Sequence, residues 1–131
     1  MTVDLTRFAD LLADNVAHLA MLGVTTADGH PHVTPVWFKW DGDFLIINSA
    51  KGRLKDRAMR ARPHVALTIV DRNNFYHYVQ IQGTVVEITE DGAFDVICDL
   101  ALKYRGKREY PRIDGETRVT YKIRPDKVTP N

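Results

Sequence analysis

Residues 44–70 read FLIINSAKGRLKDRAMRARPHVALTIV. Two apolar runs, Phe44 to Ile47 and Val65 to Val70, read as strands. Between them Asn48-Ser49-Ala50 closes the first strand, Lys51-Gly52 turns, and a short helix follows. Pro63 ends that helix, because a residue before proline is pushed out of the α region. The first amides of such a helix have no intrahelical partner and lie at the positive end of its dipole. Six cations, Lys51, Arg53, Lys55, Arg57, Arg60 and Arg62, crowd into this segment with only Asp56 among them. Cations at a helix start oppose the dipole and repel one another. Residues that destabilise the free segment in this way point to a bound anion, and phosphate suits the chemistry. The alternative is a solvated helix face.

Working outward, Leu5, Phe8, Leu11, Leu12 and Val16 have helical spacing with Asp4 as N-cap, which predicts a first helix of roughly four turns. Ala17 to Thr26 reads as a strand, Asp28-Gly29 as a hairpin turn, and Pro31 to Trp40 as the returning strand. Pro35 cannot donate to a ladder, so that strand is an edge, is bulged, or faces a ligand. Trp37, Phe38 and Trp40 are either core or a flat apolar wall for a planar ring. Asp41-Gly42 then leads into Phe44–Asn48, giving a three-stranded meander. His64–Val70 and Tyr76–Glu87 are further strands. The second sets Tyr76, Tyr78, Gln80 and Gln82 on one face and His77, Val79 and Ile81 on the other. Gly83 marks a bend or a close approach. Asp91-Gly92 opens a third helix with Phe94, Ile97, Cys98, Ala101 and Leu102 as its stripe. Thr117–Ile123 is the last strand. The expected architecture is one mainly β domain over 1–131. It comprises an N-terminal helix within 1–18, a six-stranded barrel over 19–124 with helices near 52–62 and 91–105, and a tail over 125–131.

The chain of 131 residues has a net charge of +1, so anion binding must come from local clustering and not from bulk attraction to nucleic acid or a membrane. Neither is expected as a partner. A single cysteine, Cys98, permits no intrachain disulfide, and no signal-peptide or membrane-spanning pattern is present, so the expected compartment is the cytoplasm. The five histidines lack carboxylates or thiols at ligand spacing, and no metal site is expected. There is no nucleophile elbow, Cys–His pair or paired-carboxylate pattern. No catalytic side chain is assigned, and redox chemistry would belong to a bound cofactor.

Three stretches, DGHPHVTPVWFKWDGDFLIINSAKGRLKDRAMRARPHVALTIVD (28–71), YVQIQGTVVEIT (78–89) and KYRGKREYPR (103–112), resemble the split β-barrel flavin- and deazaflavin-binding superfamily that contains pyridoxamine 5′-phosphate oxidase. The likeness is greatest to its branch dependent on the deazaflavin coenzyme F420. The resemblance implies a homodimer with cofactor between subunits. It also implies a hydride passed between reduced deazaflavin and a small organic acceptor. Carried over, Ser49, Ala50, Lys51, Arg53 and Lys55 match the phosphate-holding positions, and Thr34, Pro35 and Val36 the strand lining the ring. Arg57 and Arg60 extend the basic face toward an oligoglutamate tail. Gln82 matches a polar position near the cofactor, and Tyr78 with the Tyr110 and Arg112 region would come from the partner subunit. Members that use flavin mononucleotide (FMN) carry an arginine early in the second strand and a lysine in its middle. His32 and apolar residues stand there, which favours F420 over FMN. A non-catalytic carrier or a haem-binding protein on the same fold is the other alternative.

Overall fold

The computed structural model describes residues 3–130. The Asp28-Gly29 turn closes the expected hairpin: β1 (Leu19–Thr25) pairs antiparallel with β2 (Pro31–Val36), and the Thr26 N–H donates to the His30 carbonyl at 2.9 Å. The returning strand is shorter than its sequence suggested. It breaks at Trp37-Phe38, and Lys39–Trp40 forms a separate β3 against β4 (Leu45–Ala50). The cationic helix α2 (Leu54–Ala61) follows, then β5 (His64–Asp71), β6 (Asn74–Thr89), α3 (Ala93–Arg105) and β7 (Arg118–Pro130). All seven strands form one antiparallel sheet in the order β2-β1-β5-β6-β7-β4-β3.

That order corrects two expectations, the six strands and the three-stranded meander. β2 and β3 lie at opposite edges of the sheet, yet only Trp37 and Phe38 separate them. Three residue steps reach at most about 11 Å. The sheet must therefore curl until its edges nearly meet, without a β2–β3 ladder to close it: a split barrel. Pro35 sits on the β2 edge, where its missing N–H leaves no ladder bond unmade.

Helix α3 seals the split. Lys103 Nζ donates to the Phe38 carbonyl at 2.8 Å, while Tyr104 Oη donates to the His18 carbonyl at 3.1 Å and accepts the Phe38 N–H at 3.3 Å. Phe38 itself is fully buried, so the backbone of a core residue that lies in neither edge strand has its polar groups satisfied by one helix.

Two ends of the chain differ from expectation. The four-turn first helix is a 3-10 turn, Thr6–Phe8, running into a single-turn α1 (Ala9–Leu12). Leu5, Phe8, Leu11 and Leu12 are buried as the spacing required, and Asp4 accepts the Thr6 N–H at 2.9 Å. Extension stops at Ala13, which is extended (ψ 144°), and Asp14 is drawn to Lys103 at 3.5 Å. The supposed tail is the second half of β7. Pro125 is tolerated there because it lies opposite Gly83, at a register shift in β6, and β4 no longer pairs with β7 beyond Ile123. Met1, Thr2 and Asn131, at the ends of the two expected segments, lie outside the described residues. Gly83 is a close approach as well as a bend: a Cβ there would stand 2.7 Å from the Arg124 carbonyl oxygen.

The β6 faces alternate as read. Val79 and Ile81 point into the core, and Tyr78, Gln80 and Gln82 point outward. Leu22, Leu45, Ile47, Leu67, Ile69, Ile81, Tyr121 and Ile123 share one buried core with Met59 of α2, which is fully buried. Burying such a side chain contributes about 1.5–3 kcal/mol, enough to fix α2 against the sheet.

Candidate functional site

Strand β4 ends inside the barrel wall, and the chain leaves it through Lys51-Gly52-Arg53 to start α2. Gly52 has φ +92°, which side chains disfavour, and this lets the chain reverse in one residue. Arg53 is the N-cap but places no side-chain acceptor on the first amides of the helix. Those amides and the dipole behind them remain available at the turn.

Beside the turn opens a cleft of about 450 Å³, walled by Pro35 and Val36 of the β2 edge and Trp37 just beyond it, Ser49 of β4, Arg53 at the N-cap and Lys55 in the first turn of α2, Tyr104 and Arg105 of α3, and Tyr110 and Arg118. Its chemistry is divided. At one end Arg53, Lys55 and Arg118 converge. Arg53 lies 3.4 Å and Arg118 3.0 Å from Glu116, whereas Lys55 has no acid partner among the described residues. Burial pushes the Lys55 ammonium pKa down, and the charges of Arg53 and Arg118 push it the same way. Buried beside them, Ser49 Oγ has no hydrogen-bond partner among the described residues. A buried hydroxyl without a partner costs free energy that an incoming acceptor would recover. At the other end Trp37 stacks on Tyr104 at 5.3 Å and 8° and meets Tyr110 edge-on at 6.2 Å, with the Arg105 guanidinium 4.8 Å above Trp37. Both Tyr104 bonds are internal, and burial pushes its pKa up to about 12, so it stays protonated and committed to the split.

The residues predicted for the site therefore separate. Pro35, Val36, Ser49, Arg53 and Lys55 come together around one cleft. Ala50 is buried behind Ser49, and Lys51 turns outward to Glu90 at 2.8 Å. Thr34 does not line the cleft, and its buried hydroxyl has no partner among the described residues. Arg57 donates to the Gly52 carbonyl and Arg60 to Asp56 at 3.0 Å, so both guanidinium groups have partners within the protein and neither lines the cleft. Gln82 lines a separate groove with Gly23, Val33 and Asp126, and Tyr78 lies on the outer face of β6. Tyr110 reaches the cleft from its own chain, whereas Arg112 lies 3.7 Å over the Phe94 ring.

The sequence reading missed Asn48 and Arg118. They meet diagonally across the β4–β7 ladder, in which Asn48 pairs with Thr120 and Ala50 with Arg118, and Arg118 Nε donates to Asn48 Oδ1 at 2.9 Å. Arg118 is 8% exposed, but in sequence it alternates with Val119, Tyr121 and Ile123 like the polar Thr120 and Lys122, so nothing local marked it as buried. Among the described residues no three His, Cys, Asp or Glu side chains lie together as a metal site, and no helix is long and apolar enough to cross a membrane.

Comparison with known proteins agrees with this geometry. The family model described as pyridoxamine 5′-phosphate oxidase matches residues 9–130. Among solved structures, an F420 reductase superposes with a TM-score of 0.82 at 30% identity, covering 92% of this chain and 94% of the other. A conserved hypothetical protein from Mycobacterium tuberculosis gives 0.74 at 21% identity, covering 98% of this chain and 84% of that one. General stress protein 26 from Bacillus anthracis gives 0.63 at 18%, covering 94% and 92%. The last two share the fold alone. A search of curated proteins gave no match. The chain belongs to the pyridoxamine 5′-phosphate oxidase-like split-barrel family, a family of flavin- and deazaflavin-binding proteins that includes oxidoreductases.

Proposed function

We propose that the protein is a coenzyme F420-dependent oxidoreductase that passes a hydride between the reduced deazaflavin and a small organic acceptor. The observation that carries this reading is the cationic end of the cleft. There a half-buried lysine with no acid partner among the described residues feels the charges of two arginines, beside a buried serine hydroxyl that has no partner among those residues and an uncapped helix start. That donor set suits a phosphate, which would accept from Ser49, Lys55, Arg53 and the first amides of α2. Arg118, already bonded to Asn48 and Glu116, adds positive field from below.

The edge of β2 at Pro35 and Val36 supplies a flat wall for the ring, and Trp37 bounds it. When bound, the deazaflavin supplies the hydride chemistry. The protein's share is positioning and exclusion of water, and no side chain is assigned as a proton donor. His32 and apolar residues in β2, together with 30% identity to an F420 reductase, favour deazaflavin over FMN. The reading includes a homodimer. Leu19 (40% exposed) and Val33 (62%) flank Pro35 on the outward face of the β1–β2 hairpin, an apolar surface that a second copy would cover.

Fluorescence titration of the purified protein with F420 and with FMN tests the cofactor. F420 is expected to bind at least about tenfold more tightly, a difference of roughly 1.4 kcal/mol. Tighter binding of FMN would transfer the assignment to the FMN-dependent members. Saturable F420 binding without oxidation of reduced F420, over a broad panel of electron-poor acceptors, would make the protein a carrier.

A further inference from the structure

Asp56 is the only acid in the cationic segment, and it is 2% exposed. Three donors converge on it. The Gly52 N–H reaches Oδ2 at 2.9 Å, Tyr121 Oη reaches Oδ1 at 2.5 Å, and Arg60 Nε reaches Oδ1 and Oδ2 at 3.0 and 3.1 Å. These partners belong to three parts of the fold: the turn before α2, the interior strand β7, and the next turn of α2 itself. Gly52 is held from its other side too, because Arg57 donates to its carbonyl. The neighbouring amides of Lys51 and Arg53 donate to the Thr117 and Ala50 carbonyls at 2.8 and 3.3 Å. Every amide of the turn is thus spoken for inside the protein. What faces the cleft is the start of α2 together with Arg53, Lys55 and Ser49.

This arrangement solves an electrostatic problem. A carboxylate in the first turn of a helix favours the dipole, but one exposed to the cleft would repel an anion. Asp56 keeps the helix contact while its charge is turned inward and matched by Arg60 and Tyr121.

We propose that Asp56 is a positioning residue for the phosphate grip. By fixing the Gly52 peptide to the barrel floor at Tyr121, it sets the direction of the α2 amides and of Lys55. It thereby governs preference for a phosphorylated ligand over the same ring and chain without phosphate. The inference rests on the reading of the cationic cleft end as a phosphate site.

The change that isolates this role is Asp56→Asn. Asparagine has one acceptor oxygen and a donating amide, so it cannot accept from Gly52 and Arg60 together without setting donor against donor. Full-length wild type and variant are titrated with F420 and with 8-hydroxy-5-deazariboflavin, the dephosphorylated chromophore that also lacks the tail attached through the phosphate, and affinity is read by fluorescence. Asp56→Asn is expected to weaken F420 binding about tenfold or more, and to leave the dephosphorylated chromophore within about twofold. Equal losses for both ligands would show a merely structural residue, and no loss for either would show an idle one. Each result overturns the proposal. If Asp56→Asn does not fold, Tyr121→Phe decides the matter. It removes one of the donors and leaves the carboxylate charge, and the same selective loss is expected at about threefold; equal or absent losses again overturn the role. A wild type that does not distinguish F420 from the dephosphorylated chromophore would instead remove the phosphate site itself. The two failures are therefore separable.

Discussion

The two sides of helix α2 carry the same residue types and do opposite work. Arg53 and Lys55 face the cleft, where their charges crowd with Arg118 around a single acid, Glu116. Arg57, Arg60 and Arg62 find partners inside the protein: the Gly52 carbonyl, Asp56, and the Thr25 carbonyl, which Arg62 Nε reaches at 2.6 Å. On one side positive charge faces an open cleft, and on the other it holds the loop and helix in place. A count of cations in the sequence cannot separate these roles, because partner and burial determine them.

The largest effect should fall on the cleft side. Replacing Arg53 and Lys55 together by Ala is expected to weaken F420 binding by roughly 2–4 kcal/mol, allowing for incomplete additivity. The thermal midpoint without ligand should change little. Unchanged affinity by titration would break the contrast at its stronger end.

On the structural side, Asp56→Asn should cost roughly 2–3 kcal/mol of stability near neutral pH, measured by urea unfolding, because it leaves buried donors unmatched. The pH dependence has a definite sign. Burial pushes the Asp56 carboxyl up, but the bonds from Gly52, Tyr121 and Arg60 outweigh it and hold the pKa below its ordinary value of 3.8. A carboxylate with a depressed folded pKa contributes stability above its unfolded value and loses it as pH falls through the folded one. The gap between wild type and variant should therefore shrink from about pH 6 to about pH 3. A constant gap over that range would assign the loss to packing.

Lys55 sharpens the comparison by itself. Its folded pKa lies below the unfolded value, so the charged form costs stability at neutral pH, and the cost disappears as pH rises past the unfolded pKa. Lys55→Met should leave the unliganded midpoint unchanged or slightly higher while weakening F420 binding by about 1.5–3 kcal/mol. A clear fall in midpoint would make Lys55 a structural cation like Arg60. The smallest effect is expected from Arg57→Ala, whose guanidinium is solvent-exposed and already engaged with Gly52: about 0.5 kcal/mol or less on F420 affinity. A larger loss that grew with the length of the oligoglutamate tail would return Arg57 to the cofactor-binding side.

Much of the fold was legible because it depends on local chemistry. Asp28-Gly29, the alternation of β6, and the proline that ends α2 each act over a few residues. The errors have a shared cause. The Pro31–Trp40 stretch looked continuous because Trp37 and Phe38 favour strand, but they span between two sheet edges, and the backbone bonds of Phe38 go to α3 more than sixty residues away. The tail looked terminal because Pro125 blocks an ordinary ladder, yet the register shift at Gly83 removes the conflict. For the site, Ser49, Arg53 and Lys55 were visible as one contiguous segment, whereas Asn48 and Arg118 meet only through the β4–β7 ladder.

By itself, then, the sequence determined that a positively charged helix start follows a strand end, with a proline-bearing aromatic stretch shortly before it in the chain. Periodicity, turn residues and charge are properties of neighbours along the chain. The tertiary structure decided which of the six cations face the cleft. That choice depends on where the split barrel places Asp56, Glu116, Tyr121 and Arg118, and those positions exist only once distant strands are paired and the acid is buried against them.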